Sequence, residues 1–296
     1  MSTADQSATD RTQSDQTDDA RRLASVRPQQ ARIRGQGASG RGWGILLPTA
    51  SGLGGLLLWE LAVRWLDLPS YLLPAPSEVA MVMVEKWRLL LDQLVYTAFA
   101  ATVGFVIAVV IALSLGAMIA ASPFVERVLY VWLVVFHAIP KVVVAPLLLV
   151  WIGFGLKSSI IFVVVFTFFP MLVNTVAGLR SADPDLLLLA RSMGGGSWQL
   201  LRKIRIPSAL PSIIAGVKIS ITLAPLGAVI GEFVASNKGL GHMLIQSVGS
   251  LEVPVAFAAV TVVSLLGIFT WYLAEFFERA TIPWHASQRG RSGSEP

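Results

Sequence analysis

The sequence holds few side chains with the chemistry of catalysis or of metal binding. Its 296 residues include no cysteine, which excludes disulfides, cysteine-ligated metals and thiol nucleophiles. The three histidines, His137, His242 and His285, are too scattered to indicate a histidine metal centre. The metalloprotease pattern H-E-x-x-H and the nucleophile pattern G-x-S-x-G are absent. We therefore expect neither a catalytic site nor a metal site.

A phosphate-binding signature is also missing. The P-loop pattern G-x-x-x-x-G-K-[ST], whose backbone amides cradle phosphates, does not occur. The nearest segment, residues 153–158, lacks the upstream glycine. We expect that this chain binds no ATP itself and carries no cofactor.

Two ionisable side chains within long apolar segments are candidates for a solute pathway. Lys141 follows Pro140 near the middle of one segment, and Glu232 lies in another. A lysine at the bilayer centre costs about 2.5–3.5 kcal/mol on insertion scales, so Lys141 is expected to face protein or water. Glu232 lies roughly 10 Å from the midplane by helix rise. A pair between the two would therefore need tilted or broken helices.

Prolines in the same apolar segments predict kinks or breaks, which membrane helices tolerate where they line a cavity. Kinks that serve packing alone would give the same pattern, so both interpretations stay open. The candidate pathway-lining residues are Pro140, Lys141, Pro170, Asn174, Pro225 and Glu232.

The composition indicates that these residues belong to a polytopic membrane protein. Hydrophobic residues make up 54% of the chain and charged residues 14%, with a mean hydropathy of +0.68. Soluble domains are about 45–50% apolar and about 25% charged. Because a helix needs about 20 apolar residues to cross a bilayer, we predict an all-α protein with six transmembrane helices. The predicted spans are 44–66, 96–121, 128–152, 159–179, 211–236 and 255–278.

The remaining segments are polar. Residues 1–43 predict a disordered tail, residues 44–279 the membrane domain, and residues 280–296 a second tail. Acidic residues are mixed with the arginines of the first tail, so we expect no nucleic-acid partner. After the first span, Ser77 precedes an apolar-periodic stretch that predicts a capped amphipathic helix lying on the membrane.

Lysine and arginine indicate the orientation, because both are enriched in cytoplasmic loops. With the first tail inside, the 180–210 loop and the second tail are inside as well, and these segments hold most of the 23 basic residues. The outer segments hold Arg64, Lys86, Arg88, Lys157 and Lys238. Both termini of this inner- or plasma-membrane protein are therefore expected in the cytoplasm.

Small residues at four-residue spacing predict close helix packing. In the second span they form a flat stripe against which another helix can lie. The stripe consists of Ala100, Gly104, Ala108, Ala112, Gly116 and Ala120, and Gly227 and Gly231 repeat the spacing in the fifth span.

The 180–210 loop is unusually apolar for a cytoplasmic segment. Asp183 or Asp185 can cap a short helix, Gly194 and its neighbours end it, and Ser197 can cap a second one. The four leucines at 186–189 would be exposed unless something covers them. Either a partner protein docks there or the helix dips into the bilayer interface.

The same loop resembles the EAA loop of permease subunits of ATP-binding cassette importers, E-A-A-x3-G-x9-I-x-L-P. Four positions match at the correct spacing: Ala190, Gly194, Ile204 and Pro207, with Ile206 in place of leucine. The chain departs from the pattern at Leu188, where the family has glutamate, and at Leu189, where it has alanine. The resemblance implies a coupling helix seated in a groove of the ATPase.

Other stretches resemble the nitrate/sulfonate/taurine-type branch, which includes permeases for riboflavin and for pyrimidine precursors of thiamine. They are LLPAPSEV, HAIPKVVVAPLLLVWIGFGLKSS, FFPMLVNTVAGL and GAVIGEFVASNKGLG. The resemblance implies a type I importer permease fold, a permease homodimer in membrane lipid, two ATPase subunits inside and a substrate-binding protein outside. Two features of the sequence favour different solutes. Lys141 suits an anion such as a sulfonate, whereas the segment GAVIGEFVASNKGLG looks more like the permeases for vitamin precursors.

A different class stays open as an alternative. An ion-gradient-driven secondary transporter or channel would work without an ATPase, and it should show acidic relay residues and internal repeats. The sequence has one candidate acid, Glu232, and no convincing repeat. An intramembrane enzyme is disfavoured by the absence of catalytic motifs.

Overall fold

The computed structural model describes residues 43–281, and these residues form helices without any strand. The α-helices, in chain order, are α1 (Trp43–Trp65), α2 (Pro76–Glu85), α3 (Trp87–Ala121), α4 (Pro123–Ala138), α5 (Ala145–Ile152), α6 (Leu156–Arg180), α7 (Pro184–Ser192), α8 (Ser197–Leu200), α9 (Ile206–Ala235), α10 (Leu240–Gly249) and α11 (Val253–Thr281). A 3₁₀ segment, Lys141–Val144, precedes α5, and a π-helical segment, Leu201–Arg205, joins α8 to α9. The predicted tails lie outside the described residues, apart from residues 43, 280 and 281.

Within residues 43–281, four helical runs are long and apolar enough to cross a membrane. They are α3, α6, α11 and the run Ser197–Ala235 that ends with α9. They confirm the second, fourth, fifth and sixth predicted spans. The first predicted span corresponds to α1, a helix of 23 residues. The chain divides into two compact units between Ala62 and Val63, and every feature described below lies in the second unit.

The third predicted span, 128–152, is not a single helix, and it is broken at Pro140, one of the prolines that predict a kink or break. Helix α4 ends at Ala138, and Ile139 has an extended backbone with φ −70° and ψ 124°. The next residue is Pro140, whose ring disfavours helical geometry in the residue before it and which has no N–H to donate. The helix restarts as the 3₁₀ segment and then as α5, with Pro146 in its first turn.

The core is built on helix α6, which packs against both α3 and α9. The small residues of α3 face α6: Ala100, Ala108 and Ala112 are fully buried. A Cβ built on Gly104 would lie 2.5 Å from Val163 Cβ, and one on Gly231 would lie 2.8 Å from Ser159 Cα. These contacts confirm the predicted close packing.

Helix α2 differs from the sequence prediction in both its cap and its surroundings. Its N-cap is Ala75 with Pro76 in the first turn, rather than Ser77. Val79 is buried in a cluster with residues of α10 and α11, among them Leu240 and Val255. This face of α2 therefore packs on protein, because α10 supplies an apolar surface in a segment that was predicted to be an outer loop.

Candidate functional site

The first helix of the 180–210 loop, α7, begins as the sequence predicts. The side chain of Asp183 accepts a hydrogen bond from the Asp185 N–H at 2.8 Å, and Pro184 occupies the first helical position. Proline suits this position because its missing N–H would have no partner inside the helix. An aspartate at the cap also places negative charge at the positive end of the helix dipole.

The end of α7 depends on glycine. The Gly195 N–H donates to the Ala190 carbonyl and the Gly194 N–H to the Arg191 carbonyl, both at 2.9 Å. These two bonds form a Schellman motif, which needs a left-handed residue just beyond the helix. Gly194 supplies it with φ +83°. The prediction that Gly194 stops and turns the chain is therefore confirmed.

The two following glycines are not equivalent. A Cβ on Gly195 would lie 2.6 Å from the Ala190 carbonyl oxygen, so this position has no room for a side chain. Gly196 has open space around it and an ordinary φ of −74°. It is the N-cap of α8, a position that was predicted for Ser197.

The loop exposes five large apolar side chains, which we together call the loop face. Its members have between 52% and 80% of their surface exposed. They are Leu186, Leu188, Leu189, Met193 and Trp198. Beside them lies a cavity of about 410 Å³ whose walls include Ala190, Gly194 and Ile204. Five of the seven residues predicted for the coupling loop therefore lie on this face or border the cavity.

The second half of the loop is attached to the membrane helices. Leu201 is buried in a cluster with Leu179 of α6 and Ala209 of α9. The other two predicted loop residues, Ile206 and Pro207, form the exposed first turn of α9. The loop thus combines an exposed half, α7, with a half that is fixed to the core.

Lys141 lies in the 3₁₀ segment between the two pieces of the broken span. Its Nζ atom is 5.6 Å from the centre of the Phe166 ring, a distance at which an ammonium group is attracted to the ring face. The side chain is half-buried, and Pro140 beside it is exposed. Lys141 therefore contacts α6 through an aromatic ring instead of through an acid.

Glu232 is fully buried, and its carboxylate caps α10. Its Oε2 atom accepts hydrogen bonds from the Gly241 N–H at 2.8 Å and from the Thr97 hydroxyl at 3.0 Å. Thr97 in turn accepts from the Leu240 N–H at 2.9 Å. Since these are the contacts of Glu232, the pair with Lys141 considered from the sequence does not form.

Gly239 allows the carboxylate to lie this close. Its φ is +101°, and a Cβ at this position would overlap the Glu232 carboxylate. Its N–H donates to the Gln93 side chain at 2.5 Å. This cap and its partners on α3 were not predicted from the sequence. The signal available was two polar residues one turn apart, Gln93 and Thr97, in a segment that is otherwise apolar.

The other candidate pathway residues lie in the packing between α6 and α9. The Asn174 side-chain amide donates to the Pro170 carbonyl at 2.8 Å, within one turn of α6. A Cβ on Gly216 of α9 would lie 2.8 Å from Asn174 Cβ. Pro225 is buried inside α9. Within residues 43–281, no three histidine, aspartate or glutamate side chains are grouped to hold a metal ion.

Comparison with known proteins identifies relatives over most of the chain. The family model described as "Binding-protein-dependent transport system inner membrane component" matches residues 108–283. The formylaminopyrimidine transport permease protein ThiX of Halalkalibacterium halodurans is 32% identical over 253 residues, covering 84% of this chain and 99% of the relative. The riboflavin transport system permease protein RibX of Chloroflexus aurantiacus is 37% identical over 237 residues, covering 78% and 87%.

A solved structure shares the fold. A chain of the MetNI methionine ABC transporter, in an inward-facing conformation, superposes with a TM-score of 0.55 at 21% identity. The match covers 67% of this chain and 97% of that one. The predicted importer-permease fold and the predicted branch of relatives are confirmed. The chain therefore belongs to the binding-protein-dependent transport system inner membrane component family, the permease subunits of ATP-binding cassette importers.

Proposed function

We propose that the 180–210 loop of this permease docks a separate ABC ATPase and transmits its motion. The observation that carries the proposal is the loop face, whose exposed leucines lie on α7, a helix that is capped at both ends. Leucines exposed in this way favour a partner surface over water. Burying apolar surface supplies about 25 cal/mol per Å², so a short helix of this kind can contribute several kcal/mol of docking energy.

The chemistry of the contact follows from the residues that depart from the family pattern. Leu188 stands where the family has glutamate, and it is exposed on the loop face. The contact to the ATPase then depends on apolar burial more than on charge pairs. Because salt screens exposed charges and leaves apolar burial largely unaffected, docking is expected to be insensitive to salt.

The same proposal assigns the remaining partners and the orientation. ATP is bound and hydrolysed by the ATPase subunits, and this chain is not an enzyme. A second copy of the permease completes the pathway, and an external binding protein delivers the solute. The loop and both termini face the cytoplasm, as the distribution of lysine and arginine favours. The names of the relatives support a heteroaromatic, vitamin-related solute.

The substitution Gly194→Asp tests the docking role. Aspartate at a φ of +83° is strained, so the Schellman motif should open and α7 should point away from the ATPase. We expect a membrane-inserted permease that no longer co-purifies with its ATPase, at low or high salt. Gly196→Asp is the matched control, because it adds the same charge in the same loop at an N-cap position where aspartate is favoured.

Two results would contradict the proposal. One is a Gly194→Asp permease that still retains its ATPase and still supports ATP-driven uptake. The other is uptake by the reconstituted permease without any ATPase, driven by an ion gradient, which would favour the secondary-transporter alternative. If Gly196→Asp retains the ATPase and Gly194→Asp loses it, then docking depends on the geometry of the loop face and not on the added charge.

We further propose that Lys141 lines the pathway, since it lies in the broken segment and its ammonium group contacts an aromatic ring. Lys141→Met keeps the length of the side chain and removes the charge. The variant should insert, dimerise and retain its ATPase, while uptake of labelled riboflavin or formylaminopyrimidine changes by about tenfold, the effect of about 1.4 kcal/mol. Uptake equal to that of the unmodified chain would remove Lys141 from the pathway.

A further inference from the structure

Two arginines of the 180–210 loop contact the junction between α3 and α4, which we call the α3–α4 corner. Arg180, the last residue of α6 and the first of the loop, forms an ion pair with Glu126 in which both side chains stay partly exposed, at 47% and 38%. Arg205, the last residue of the π-helical segment in the second half of the loop, donates from its guanidinium to the Ala120 carbonyl. Ala120 and Glu126 lie on either side of the tight junction between α3 and α4 at Ser122.

The contact of Arg205 is suited to a fixed attachment. The last carbonyls of a helix have no partner within the helix, and Ala120 is the last residue but one of α3. A cation at this end also complements the negative end of the helix dipole. Arg205 therefore satisfies an acceptor that the helix leaves free, and it does so from the half of the loop that is fixed to the core.

Helix α4 connects the α3–α4 corner to the broken segment, residues 139–144. From Ser122, whose side chain accepts a hydrogen bond from the Val125 N–H, the chain runs through α4 to the interruption at Pro140 and the 3₁₀ segment. Rigid helices carry displacements along their length, whereas the interruption is a point at which the chain can bend. A displacement of the corner would thus reach the segment that contains Lys141.

We propose that Arg180 and Arg205 form a two-point clamp, which passes the displacement of the coupling loop to the α3–α4 corner and through α4 to the broken segment. This inference rests on the proposed function, because the loop moves with the ATPase. Both arginines are positioning residues: they contact neither the solute nor ATP. The clamp explains why two arginines of the loop, one at its start and one in the half fixed to the core, have their partners within a stretch of seven residues, 120–126.

A single introduced cysteine can report on this transmission, since the chain has none of its own. Val143, in the 3₁₀ segment, has 67% of its surface exposed on the single chain and is the position chosen for labelling. In the permease–ATPase complex in nanodiscs, the maleimide labelling rate of Val143→Cys is measured with and without a non-hydrolysable ATP analogue. We expect the nucleotide analogue to change the labelling rate by about fivefold or more, which is the lower end of typical coupling effects.

Adding Arg205→Met should make this labelling rate insensitive to nucleotide while the ATPase stays bound and hydrolyses ATP. Arg205→Lys, which keeps a donor and the charge, should restore part of the response. Arg202→Met is the matched control, because Arg202 lies in the same π-helical segment, is exposed and makes no hydrogen bond or ion pair among the described residues. At the other point, Glu126→Arg should reduce the response, and adding Arg180→Glu should restore it.

The outcomes separate the clamp from the docking role. A nucleotide response that survives Arg205→Met, or that Arg202→Met removes equally, would overturn the clamp and leave the docking role intact. A response absent from the Val143→Cys chain with no other change would also overturn it, since the broken segment would not receive the motion. Failure of the chain without substitutions to bind the ATPase would overturn the proposed function and, with it, the clamp.

Discussion

Replacing Glu232 by leucine is expected to remove most of the folded permease from the membrane. The substitution leaves the Gly241 N–H without its acceptor in a fully buried place. It also removes one of the two acceptors of the Thr97 hydroxyl, which keeps the Gln93 carbonyl at 3.1 Å. Each buried donor left without a partner costs about 1–3 kcal/mol. Because net stabilities are small, we expect strongly reduced membrane abundance and a lower unfolding temperature, measured in detergent by intrinsic tryptophan fluorescence.

The matched control is Glu232→Gln, which keeps an acceptor oxygen of the same reach and should retain most of the stability. This pair of variants also separates two roles for the residue. A pathway role predicts that Glu232→Gln alters transport in a stable protein, whereas a capping role predicts normal transport. A Glu232→Leu protein as abundant and as stable as the unmodified chain would show that the cap of α10 is dispensable.

Replacing Gly104 by leucine is the second change with a large expected effect. A Cβ at Gly104 would lie 2.5 Å from Val163 Cβ and 2.7 Å from the Ile160 carbonyl oxygen. A carbonyl of the α6 backbone cannot rotate away, so α3 and α6 would have to separate along the whole stripe of small residues. Overpacking a core usually costs about 1–3 kcal/mol and sometimes more, and here it acts on the central contact of the fold.

The measurement is the fraction of monodisperse protein after detergent extraction, followed by thermal unfolding. Gly267→Leu is the control, because Gly267 lies inside α11 and no atom lies within 4 Å of the position that a Cβ would take there. We expect Gly267→Leu to extract normally and Gly104→Leu to aggregate or to be degraded. Equal behaviour of the two variants would mean that the stripe does not set the distance between α3 and α6.

The sequence predicts an element correctly where a single local property, such as apolar length or a glycine position, determines its structure. Long apolar runs without charge give α3, α6, α9 and α11, because the bilayer thickness demands that length. The end of α7 follows from Gly194, since a left-handed position after a helix favours glycine. The small-residue stripe follows from its spacing.

The errors arise where two signals compete or where a partner is distant in sequence. Residues 128–152 are apolar enough to span, so hydropathy predicts one helix there, whereas Pro140 predicts the kink or break that the structure shows. Helix α10 is short, and its cap depends on residues of α3 more than 140 positions earlier, at Gln93 and Thr97. No local pattern encodes a hydrogen bond across that separation.

The cap of α10 has a consequence for the biosynthesis of the chain. The N–H groups of Gly239 and Leu240 are satisfied by α3, and that of Gly241 by α9. Each buried backbone N–H left without a partner costs about 1–3 kcal/mol. During synthesis α3 emerges long before α10, so Gln93 and Thr97 lack these partners until about the last fifth of the chain is made. Helix α10 therefore forms late: the N–H groups of its first turn find their acceptors only after α3 and α9 have packed together.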